Sequence, residues 1–101
     1  MSTARRFRRR AGARDLLYFE TPRLWPRYPF LPVIRQLADS AVPECGLLYD
    51  ARGASGIFGY SSTVFLVNLA LVPATEAEFL ALPKSVYDTF EDLADDGWVV
   101  D

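Results

Sequence analysis

The sequence predicts a small α+β domain, and three observations carry that reading. Half of the 101 residues are hydrophobic and 14% are aromatic, enough apolar material to build a core rather than leave most of the chain disordered. Short β-rich runs follow one another across short connections, the pattern of an antiparallel meander. Near the C-terminus, Thr75-Glu76-Ala77-Glu78 and Asp88-Thr89-Phe90-Glu91 carry helix-start signals.

The elements follow in chain order. Residues 1–14 hold Arg5, Arg6, Arg8, Arg9, Arg10 and Arg14 and no acid. Like charges at this density repel and leave little to bury, so a disordered basic tail is expected. Residues 15–101 form the single domain, with the other five basic residues and all thirteen acids. The net charge of −2 therefore hides a basic tail on an acidic body. Residues 15–32 read as an extended arm rich in aromatics and proline. Within it Pro26, Pro29 and Pro32 recur every three residues behind Arg23, the spacing of a polyproline II ligand. Leu24, Trp25, Tyr28, Phe30 and Leu31 argue instead for an arm clamped on its own sheet, since burying such a side chain stabilises by roughly 1.5–3 kcal/mol.

Strands are expected at about 33–38, 45–50, 61–71 and 98–100, giving an antiparallel sheet of three to four strands. The run 61–71 is apolar on both faces, which marks a strand covered on both sides. Helices are expected at about 76–82 and 88–96, stopped by Pro83 and Gly97, both packing on one face. The other face is then left to the aromatic arm or to a second copy of the chain, so self-association is expected. The segment 51–59 reads as a mobile glycine-rich loop that lacks the lysine of a phosphate-binding motif.

Chemistry is thinly supplied. The chain has no histidine and a single cysteine, Cys45, which removes the commonest general base, a structural zinc site and an intrachain disulfide. No cofactor, metal or catalytic residue is assigned. The longest apolar run, 63–72, is about half of a membrane-spanning helix, so a soluble, cytoplasmic protein without membrane partners is expected. Three function classes remain. The first is a small non-enzymatic interaction or accessory module with an unidentified protein partner. Its candidate contacts are Arg52, Ser55 and Tyr60 around the loop, and the cluster Glu91, Asp92, Asp95 and Asp96, in which Asp95 and Asp96 lie at a helix C-terminus, where an outside charge would compensate them. The second is a nucleic-acid-associated protein that binds phosphates through Arg5, Arg6, Arg8, Arg9, Arg10 and Arg14, with Phe7 available to stack on a base. The third is a carboxylate enzyme in which Asp39, Glu44 and Asp50 converge around a divalent metal.

Overall fold

The computed structural model of the chain describes residues 12–101. Five antiparallel strands form one sheet: β1 (Phe30–Arg35), β2 (Glu44–Tyr49), β3 (Thr63–Phe65), β4 (Lys84–Val86) and β5 (Val99–Val100). Their spatial order is β4-β3-β2-β1-β5. Among the described residues, four α-helices surround it: α1 (Ala13–Glu20), α2 (Ala51–Ser55), α3 (Glu76–Leu80) and α4 (Phe90–Asp95). The α+β class and the antiparallel pairing agree with the sequence; the strand count and several boundaries do not.

The β1–β2 ladder is the spine, pairing Phe30 with Tyr49 through to Arg35 with Glu44. Alternate side chains of this hairpin feed two cores. Leu31, Val33 and Leu48 join Phe19, Trp25, Val64, Leu93 and Trp98 in the first. Leu47 and Tyr49 join Ala51, Phe65 and Phe79 in the second. Hence α1 and α4 cover one face, whereas α2 and α3 cover the other. The two C-terminal helices are thus divided between the faces, against the expectation that both share one.

The expected arm is largely not extended. Residues 13–20 are helical because Asp15 accepts the Gly12 N–H at the helix start (2.9 Å) and Leu16 and Phe19 share the inward side. Thr21-Pro22 stops that helix, a 3₁₀ turn follows over Pro22–Leu24, and a second turn closes with the Phe30 N–H on the Arg27 carbonyl (2.9 Å). Trp25 is buried, and its indole N–H donates to the Tyr18 carbonyl at 2.6 Å. β1 then begins three residues earlier than expected and contains Pro32. Proline is tolerated there because the position of its missing N–H faces β5, where the ladder ends with the Asp101 N–H on the Pro32 carbonyl (3.0 Å).

The run 61–71 supplies only a three-residue strand. The chain leaves the ladder when the Val67 N–H bonds the Phe65 carbonyl (2.9 Å), and Asn68 caps a 3₁₀ turn over Leu69–Leu71 by accepting the Ala70 N–H (2.9 Å). Val64 and Phe65 are both fully buried on opposite faces within the chain, which removes the reason the sequence offered for self-association. The expected mobile loop 51–59 opens as α2, capped by Asp50 on the Gly53 N–H (3.1 Å) and ended by Gly56 in the left-handed region at φ 69°. β4 was not expected at all. Gly46 has a packing role: a Cβ there would lie 3.2 Å from the Trp98 ring and 2.4 Å from Val64.

Candidate functional site

At the Tyr49 end of the β1–β2 hairpin, a cleft of about 310 Å³ opens between α1 with its 3₁₀ turn and the segment from Asp50 to Ser62. Its apolar wall is Phe19, Trp25, Leu48 and Phe90. The wall is rigid because Phe19 stacks on Phe90 (6.1 Å between centroids) and Trp25 is tied to α1. Tyr49, Arg52, Tyr60 and Ser61 also line it. Past Glu20, Pro22 and Asp50 it continues into a second depression bordered by Arg23 and Tyr28.

The polar groups of this cleft divide into committed and uncommitted ones. Asp50 accepts from the Tyr28 hydroxyl (2.8 Å) and from the Gly53 N–H. That carboxylate, with partial burial, pushes the Tyr28 phenol above its ordinary pKa. The Ser62 hydroxyl donates to the Tyr87 carbonyl (2.7 Å). Arg52 is exposed, stacks 5.1 Å over the Phe58 ring, and forms no ion pair among the described residues. Phe58 itself is 72% exposed.

Two of the three loop candidates, Arg52 and Tyr60, therefore line one cleft. Ser55 points elsewhere: its hydroxyl and that of Tyr49 both donate to the Glu76 carboxylate, fastening α2 to α3. The Ser55 bond, then the Tyr49 bond, holds Glu76 below the usual carboxylate range, while burial and the same carboxylate raise Tyr49.

The acidic quartet does not form one site. Asp96 accepts from Arg35 (2.7 Å) and from the Tyr87 hydroxyl, which in turn accepts the Trp98 indole N–H (3.1 Å). Arg35 also pairs with Glu44 and lies 4.7 Å over the Trp98 ring. The charge that compensates Asp96 thus comes from within the chain, not from outside. Glu91, Asp92 and Asp95 stay on the exposed side of α4. The carboxylate trio also fails to converge. Glu44 and Asp50 bracket β2 from opposite ends, roughly 20 Å apart at strand rise, and Glu44 is held by Arg35. Among the described residues no three His, Cys, Asp or Glu side chains are grouped to hold a metal ion, and no helix is long and apolar enough to cross a membrane.

Of the polyanion candidates, Arg5, Arg6, Phe7, Arg8, Arg9 and Arg10 lie outside the described residues. Arg14 belongs to the first turn of α1 rather than to a tail, with its guanidinium 5.6 Å over Tyr18. Sequence reasoning missed Trp25, Phe90 and Glu20 as residues that line one cleft with Arg52, since nothing local brings residues this distant together. Comparison with protein-family profiles, with curated proteins and with solved structures gives no match.

Proposed function

We propose that the protein is a small non-enzymatic interaction module whose cleft receives an apolar side chain of a partner protein, with Arg52 receiving a neighbouring carboxylate. The observation that carries this reading is that one concavity is lined both by packed aromatic side chains and by Arg52, which is exposed and forms no ion pair among the described residues. Concave sites with apolar linings and a few placed polar groups are where side chains of ligands and partners are held. The commitment of Asp50 to Tyr28 and Gly53, and of Ser62 to a carbonyl, supports a positioning role for these groups.

Selection of a displayed random-peptide library on the full chain tests this, with Ser61→Trp as the counter-selection. Ser61 is exposed at the cleft, so the larger side chain fills the concavity without entering either core. Retained peptides are expected to share a bulky apolar residue next to an acid, and to be lost on both Ser61→Trp and Arg52→Glu. Peptides retained equally by Ser61→Trp would contradict the proposal.

A further inference from the structure

The two edges of the sheet are finished differently, and the difference points to a second surface independent of the cleft. At the β5 edge the Val100 N–H turns away from β1, and the Asp15 carboxylate on α1 accepts it at 3.0 Å. That edge is capped by the chain itself. Among the described residues β4 has a neighbour on one side only. Its ladder with β3 is bracketed by Leu66 N–H to the Pro83 carbonyl (2.9 Å) and Tyr87 N–H to the Ser62 carbonyl (3.0 Å). Hydrogen-bonded pairs alternate along antiparallel strands, so Ser85 faces β3 while Lys84 and Val86 direct their N–H and C=O groups outward.

Exposed edges are commonly guarded by an outward lysine. Here the Lys84 ammonium lies 5.7 Å over the Phe65 ring of the adjacent strand, drawn in over the sheet. Val86 is left as a 68% exposed apolar side chain on the edge.

We propose that β4 pairs antiparallel with β4 of a second copy, the twofold axis passing through Val86. In that register Val86 meets Val86, and Lys84 stands opposite Asp88, which is exposed and has no ion pair among the described residues. The outward groups of Val86 close two hydrogen bonds with their own copies, and Lys84, turning from the Phe65 ring towards the edge, meets the unlike charge of Asp88 on both sides of the axis. Any other register around this short strand loses either the Val86 contact or the Lys84–Asp88 match.

Sedimentation of the full chain over a concentration series up to about 1 mM reads the result, the range in which weak pairing is detected. The expected result is a mass that rises from monomer towards dimer in the wild type. Val86→Pro removes an outward N–H that β3 does not use, so it stays monomeric with unchanged circular dichroism. Lys84→Asp sets like charges opposite and weakens dimerisation roughly tenfold, and Lys84→Asp with Asp88→Lys restores it. A wild type that remains monomeric throughout overturns the proposal, as does a folded Val86→Pro that dimerises like the wild type. If Val86→Pro does not fold, the charge pair decides: failure of the double swap to recover what the single swap loses is equally fatal.

Discussion

Two arginines sit on aromatic rings at opposite ends of the same hairpin, and only one of them is finished. Arg35 lies over Trp98, pairs with Glu44 and Asp96, and has a side chain only 16% exposed. Burial opposes its charge, but the hydrogen bond and attraction of Glu44, with Asp96 and Tyr87 behind it, outweigh that and raise its pKa. Arg52 lies over Phe58, an exposed ring, and pairs with no acid among the described residues. The same stacking contact thus serves two ends of the molecule differently. A guanidinium whose donors are met by carboxylates braces the fold; one that is exposed and meets no carboxylate among the described residues is the one proposed to receive a partner's acid.

The largest expected effect falls on the rings. Trp98→Ala should cost about 3–5 kcal/mol, as for a fully buried tryptophan, whereas Phe58→Ala should stay within about 0.5 kcal/mol. Thermal denaturation separates them, since about 1 kcal/mol moves the midpoint of a domain this size by roughly 4–8 °C. Equal losses would erase the contrast. Next come the arginines themselves. Arg35→Ala should lower stability by about 1–3 kcal/mol, because Glu44 and Asp96 lose their charge-assisted partner, while Arg52→Ala should be thermally silent within about 0.5 kcal/mol.

A smaller effect comes from the network that joins α2 to α3 beside the cleft. Glu76 titrates below its ordinary value of 4.5 in the folded chain. Its contribution is therefore complete above the unfolded pKa and is lost as pH falls through the lower, folded one. The midpoint of the wild type should drop more steeply as pH falls below 4.5 than that of Glu76→Gln, which has no carboxylate to protonate. Parallel acid limbs in the two proteins would mean that the bonds from Ser55 and Tyr49 add nothing to the fold.

The C-terminal helices were legible because threonine caps are local: Thr75 accepts the Glu78 N–H (3.2 Å) and Thr89 accepts the Asp92 N–H (3.1 Å). β2 was legible from its apolar run bounded by turns. α1 was hidden by its neighbours, since the arginines before it and the prolines after it outweighed the spacing of Leu16 and Phe19. α2 was hidden by Gly53 inside it, although Asp50 before and Gly56 after are ordinary helix boundaries. β4 offers three residues with no alternation to read, and exists because β3 provides a ladder. In the same way Arg52 and Tyr60 could be singled out from their segment, but the aromatic residues that line the same cleft are supplied by α1, Trp25 and α4. Arg35 looked like an ordinary strand residue until Gly97, at φ 100°, let the chain turn beneath its side chain.

The most direct test of the cleft as a partner site is a nuclear magnetic resonance titration of the full chain with 3-phenylpropionate, an apolar ring joined to a carboxylate. Amide shifts are expected at Phe19, Trp25, Arg52 and Tyr60, lost in Ser61→Trp and reduced in Arg52→Ala. Shifts that are absent, or that persist unchanged in Ser61→Trp, would contradict the account.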